Sequence, residues 1–168
     1  LGDGETVLAY VGPILEDNET PQDIRTAAHY NRALIFLDDN NPAAKADLEV
    51  LAAGGPHAEE ATHHLAALIL ENGDPVACQA AIFDQLNRFG GGSDWSFHSF
   101  LLLAETYIAQ EDYFQARTSI DQLQSNVQEP WVQDACLDML DRIVQLEQPA
   151  TAPADSTSAG VTPNSDEE

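Results

Sequence analysis

Positive charge is what this sequence lacks most. It has 6 lysines and arginines against 29 acidic residues, a formal net charge of −23, and its single lysine is Lys45. Nucleic acid is thereby excluded as an expected partner, because affinity for it rests on Lys and Arg neutralising phosphates. Anionic membrane surfaces are disfavoured on the same ground. No apolar run approaches the roughly 18 residues of a membrane span, so no direct membrane insertion is expected. There are only 2 cysteines, Cys78 and Cys136. Both sit among apolar neighbours and read as buried thiols, although spacing alone leaves a disulfide between them open. No stretch alternates β-branched and polar residues as a strand would. Also missing are G-x-S-x-G, C-x-x-C and H-E-x-x-H, the short motifs of common hydrolase, redox and zinc sites.

The acid excess has two readings. Molar salt shortens the Debye length to about 3 Å, and crowded carboxylates then cease to oppose compaction. Abundant Ala and near-absent Lys fit such a halophilic adaptation. The other reading is an acidic protein with a basic partner.

Prolines punctuate the chain. Pro21, Pro42, Pro56, Pro75 and Pro130 each stand at the head of a segment rich in Ala, Leu and acidic residues, and proline suits a first helical turn. Thr20, Asn41 and Asp74 precede three of them as candidate N-caps. Asp112 with Gln115 reads as a capping box, and Ser93 or Asp94 caps the segment from Trp95. The pattern predicts helices over 21–38, 42–53, 56–72, 75–89, 94–110, 113–126 and 130–147. An earlier helix over 4–17 should kink or split at Gly12-Pro13. Short polar links (DDNN, AGG, NGD, QED) make successive helices antiparallel neighbours, with FGGGSD the longest and most mobile. From Gln148 to Glu168 the chain has no aromatic residue and no large apolar cluster, so an acidic disordered tail is expected.

The helices fall into pairs. First members begin near 21, 56 and 94, and second members near 42, 75 and 113. A helix–turn–helix period in the mid-thirties is a solenoid signature. In the third pair Leu103-Ala104 is followed by Tyr107, the break Glu111-Asp112, then Tyr113, Ala116, Ile120 and Leu123. In the second pair Leu65-Ala66, Ile69, Gly73-Asp74, Cys78 and Ile82 fill the same slots. In the first, Ala33, Phe36, Ala44 and Leu48 do so with one residue fewer. This arrangement resembles the tetratricopeptide repeat over roughly residues 21–147, most strongly over 97–126. "YIAQEDYFQAR" resembles such repeats in Bacteroidetes-type bacteria in particular. Two slots depart from the pattern: Glu111 stands where the family has a turn glycine, and Cys78 where it has a small residue.

The resemblance implies an all-α solenoid of three hairpins plus a capping helix, either whole over 1–147 or the C-terminal part of a longer array. A different α-solenoid or an irregular bundle is the alternative. It implies a non-catalytic interaction or scaffold module whose first helices line a concave face. Carrying the family's groove positions over gives Tyr30, Leu34 and Leu37, then His63, Ala67 and Leu70, then Leu101, Glu105 and Ile108. That surface lacks the Lys and Arg that clamp acidic peptide tails, so an apolar or helical protein segment is the expected ligand. A self-filled groove or a homodimer is the competing reading. A bacterial envelope or periplasmic setting follows from the resemblance alone.

No cofactor and no metal is expected. The strongest chemical cluster is "HAEEATHH", residues 57–64, in which Glu60-x-x-His63 has the spacing of a carboxylate-bridged metal site. Such sites need a second copy of the motif and further glutamates, and no second copy occurs. "LDDNNP" lacks the spacing and central glycine of a calcium loop. "GGGSD" lacks the lysine and preceding strand of a phosphate loop. His29 and His98 stand alone in the sequence, and no catalytic residue is assigned.

Overall fold

The computed structural model describes residues 3–148. They form eight helices, with no strand among the described residues: α1 Asp3–Glu16, α2 Gln22–Asp38, α3 Ala44–Ala52, α4 Ala58–Glu71, α5 Pro75–Phe89, α6 Asp94–Ala109, α7 Tyr113–Asn126 and α8 Pro130–Glu147. Each helix packs on the next in chain order. In addition α4 meets α6 and α6 meets α8, whereas α3, α5 and α7 do not meet one another. Among the first helices α4, α6 and α8 therefore crowd together, whereas α2 reaches α4 only through side chains such as Tyr30 and Glu60; the second helices splay, which is how stacked hairpins curve. The expected all-α, sequentially packed solenoid of three hairpins and a terminal helix is what the chain forms. The predicted tail beyond Gln148 lies outside the described residues.

The three hairpins share one hinge. Asn40, Gly73 and Glu111 each adopt positive φ, at 51°, 83° and 59°. Each gives its N–H to the carbonyl three residues back, on Leu37, Leu70 and Ile108. The next residue, Asn41, Asp74 or Asp112, gives its N–H to Phe36, Ile69 or Tyr107 five residues back. Such a closure satisfies carbonyls that a helix end leaves unpaired. The same residue then turns its side chain forward to accept an N–H, from Ala43, Ala77 and Gln115 respectively. Across each hinge small residues let the backbones approach. Ala33 faces Ala44, Ala66 faces Cys78 and Ala104 faces Ala116, each at most 1% exposed. Leu48, Ile82 and Ile120 fill the gap one turn further on and are buried.

Several local expectations need correction. α1 runs through Gly12 and Pro13 without splitting and packs on α2. Thr20 does not cap α2, which follows Pro21 with no side-chain cap. Asn41 caps the turn before α3 instead of the helix itself, so α3 starts at Ala44 and Pro42 stays in the turn. The reciprocal capping box is made by Ser93 with Ser96, whereas Asp112 makes only the forward bond. Cys78 and Cys136 are free and lie in different clusters, which removes the disulfide. His29 is not alone: its Nδ1 lies 2.6 Å from Asp47.

The five arginines are all committed. Arg25 donates to the carbonyls of Asp17, Asn18 and Thr20 after α1. Arg88 of α5 reaches the carbonyls of Ala52 and Ala53 at the end of α3. Arg32 binds Asp47, Arg117 binds Glu147, and Arg142 of α8 holds both oxygens of Glu105 on α6. Each arginine thus ties one element to another, and the surface that remains is anionic.

Candidate binding face of the first helices

Where α4, α6 and α8 come together, five rings form a continuous array. His63 and His64 come from α4, Trp95 and His98 from α6, and Trp131 from α8. His63 lies 5.4 Å from Trp95 and 5.8 Å from His98 between ring centroids. His64 meets Trp95 edge-on at 5.3 Å. Trp95 and His98 are 5.2 Å apart, and His98 stacks on Trp131 at 4.5 Å. Next to the array Tyr30 of α2 stacks on His57 at 3.8 Å and gives its hydroxyl proton to Glu60, 3.1 Å away. Both tryptophans and four of the 5 histidines of the chain therefore line one side.

The helix starts set this up. Ser93 holds the first turn of α6 by accepting the Ser96 N–H, and its own hydroxyl donates to Glu59 of α4. That contact brings the two helices together at matching height, with Trp95 over the His63–His64 turn. At the other end Arg142 clamps Glu105 at 2.6 and 2.8 Å, tying α8 to α6.

Behind the rings runs a buried polar chain. The Ser99 hydroxyl donates to Gln85 Oε1 at 2.8 Å, and His63 Nδ1 lies 3.0 Å from Ser99 Oγ. With the Ser99 proton given to Gln85, His63 Nδ1 must be the protonated nitrogen and Nε2 the bare one. A second proton on this ring would be a desolvated cation beside two other imidazoles. Burial, then His64 and His98, accordingly push His63 from the ordinary 6.5 down to about 4. Burial also lowers His64 against the pull of Glu60, and lowers His98 against that of Asp94. The array is neutral at physiological pH. Ser99 and His63 have the reach of a nucleophile and its base, but Ser99 is fully buried and spends its proton inward.

The metal reading of residues 57–64 gains no ligands. Glu60 lies 3.7 Å from His57 Nδ1 and 4.0 Å from His64 Nε2, yet among the described residues no group of three or more His, Cys, Asp or Glu is disposed to hold a metal ion. Among the same residues no helix is long and apolar enough to cross a membrane.

The nine groove positions are dispersed. His63 and Glu105 lie on the ring-bearing side. Tyr30 sits at its edge. Leu34 is exposed beside α1, in a cleft with Gly4, Leu8 and Ile35. Leu37 packs on the first-hairpin cluster and Leu70 on the second. Ala67 is half-buried. Leu101 packs against the α6–α7–α8 cluster, and Ile108 is buried within it. His98, Trp95 and Trp131 were missed, and His98 is not isolated. The signal was present: Trp95 and Trp131 occupy the first turns of successive first helices.

A second cleft of about 460 Å³ opens between α5, α6 and α7 over Phe83, Phe100 and Tyr107, with Thr118, Ser119, Gln122 and Asn126 on its rim. No protein-family model and no curated protein matches the chain.

Proposed function

We propose that the chain is a non-catalytic interaction module of the tetratricopeptide type, binding a protein or peptide segment on the face of its first helices. The observation that carries this reading is the indole–imidazole array across α4, α6 and α8. Half-buried aromatic rings with polar edges supply contact area at low entropic cost, and such residues concentrate the energy of protein interfaces. A face bearing neutral rings, Glu60 and Glu105 suits an apolar segment with basic flanks. A bacterial envelope assembly is a setting consistent with the family resemblance.

The test is recovery of co-purifying proteins at molar salt. A His64→Asp/Trp131→Ala variant should lose them, while Phe114→Asp on the second-helix side retains them. A first-helix variant that keeps every partner overturns the reading. High-salt adaptation is part of the proposal: with every arginine committed, the remaining carboxylates repel in dilute buffer. The melting temperature should therefore rise between dilute buffer and molar salt, and a flat response removes the halophilic element.

A specific observation favours a second reading, a structural segment whose groove is filled by its own chain. Leu101, Ile108 and Leu70 already pack into core clusters, and Glu105 is held by Arg142. Light scattering separates the two, since a stable homodimer with no other partner supports the structural role.

A further inference from the structure

The outward side of α8 carries an apolar stripe. Leu137 is 55% exposed and Val144 46%, and Leu140 at the inner edge of the stripe is half-buried, one side of it against the α6–α7–α8 cluster. The repeat register says what this stripe does elsewhere in the chain. The spacing that takes Asp94, the start of α6, to Pro130, the start of α8, also takes Leu101, Ala104 and Ile108 to Leu137, Leu140 and Val144. On α6 those residues pack into the cluster formed with Ala116, Ile120 and Leu123 of α7 and, on its other side, Val132, Cys136, Met139 and Ile143 of α8. The last helix thus repeats the surface that α6 gives to its hairpin mate. Among the described residues no helix takes the corresponding place on α8.

Composition discriminates between the candidates for that place. Residues 149–168 hold three prolines and Val161 as their one large apolar residue, so they cannot present a stripe at helical spacing. A second copy would set Asp134, Asp138 and Asp141 against the same carboxylates, in a chain of net charge −23. In the dilute buffer in which the face is probed, like charges facing across an interface disfavour such pairing. The one cation on α8, Arg142, is held by Glu105. An aliphatic stripe bordered by carboxylates is complementary to a helix with an aliphatic stripe bordered by Lys and Arg.

We infer that the outer face of α8 docks a basic amphipathic helix from another protein, seated much as α7 is seated on α6. The fit differs from that of a hairpin mate in one respect. Leu140 stands where α6 has Ala104, so the incoming helix rides on side chains instead of touching backbone to backbone, and a small residue in it must face Leu140. This site is separate from the ring-bearing face, and either can exist without the other.

The probe is a labelled helical peptide of the length of α7, with Ala, Ile and Leu at the spacing of Ala116, Ile120 and Leu123 and lysines on both borders. The parent chain should bind it in dilute buffer. A Leu137→Asp/Val144→Asp variant should bind at least about tenfold more weakly, as loss of central apolar contacts implies. Both residues are exposed, and unchanged helical circular dichroism verifies the fold. His64→Asp, on the ring-bearing face, should leave this binding intact, so failure of the groove reading and failure of this one are told apart. A peptide with glutamate in place of lysine should bind about tenfold more weakly or less, since charge pairing steers docking. The inference is overturned if the parent does not bind, or if a peptide of the same composition with its apolar residues scattered binds equally well. It is also overturned if the parent is a dimer that the double variant makes monomeric, which would assign the face to self-association.

Discussion

The first and third hairpins share a hinge and differ in what they enclose. Between α6 and α7 the closed space holds Ala104, Ile108, Ala116, Ile120 and Leu123 and nothing charged. Between α2 and α3 it holds Asp47, 1% exposed, with Arg32 binding both oxygens at 2.7 and 2.8 Å and His29 at 2.6 Å. Backbone closure at the hinge therefore leaves the interior free to be apolar or ionic. An enclosed carboxylate is tolerable only while its partners remain, because desolvation offsets most of the Coulombic gain. The third hairpin has no such dependence.

The largest effect should come from breaking that ionic interior. Arg32→Ala leaves Asp47 buried with one partner and should lower the unfolding free energy by about 3 kcal/mol, read from urea denaturation. An Arg32→Met/Asp47→Leu pair should recover most of it, making the first hairpin resemble the third. A single-variant loss below about 1 kcal/mol would mean that the ion pair contributes no more than a surface one.

The next effect depends on pH and belongs to the α4–α6–α8 side. His63 is held near 4 when folded and returns to about 6.5 when unfolded. Above pH 6.5 both states are neutral and its contribution is complete. As pH falls toward 4 the unfolded chain takes a proton that the folded chain refuses, so stability drops across that window. His64 and His98 are shifted in the same direction. Urea midpoints followed by the fluorescence of Trp95 and Trp131 should fall from pH 7 to 4.5, and His63→Gln should flatten the slope. An unchanged slope in the variant would assign the acid sensitivity to other groups.

The smallest effects compare the three hinges. Glu111 holds a left-handed conformation that costs a residue with a Cβ about 1 kcal/mol, so Glu111→Gly should stabilise by that much. Asn40 tolerates this region better, and Asn40→Gly should change stability by a few tenths of a kcal/mol. Gly73→Ala should cost about 1 kcal/mol. Equal responses at all three positions would show that hinge strain is relieved by the surrounding packing.

Hinges and hairpin contacts were legible because the residues that make them are close in sequence. A small residue, an aromatic or Ile, a turn, a capping Asn or Asp and a second small residue lie within one short stretch. The ring array was not legible, because its members come from three helices and only the fold brings His98 to Trp131. Asp47 shows the same limit: sequence marks it as one acid among many, and its partners lie a helix away. The groove positions failed to assemble for a related reason. On α6, Leu101 and Ile108 turn into the core, while Trp95, His98 and Glu105 face α4 and α8.

The scarcity of basic residues also fixes where trypsin can cut. Arg25 and Arg32 lie in α2, Lys45 in α3, Arg88 in α5, Arg117 in α7 and Arg142 in α8. Every cleavage point is inside a helix, and each hairpin contains at least one. A protease needs several residues of extended chain, so cleavage waits for local opening. The order in which the fragments form under mild digestion is therefore a record of the order in which the hairpins come apart.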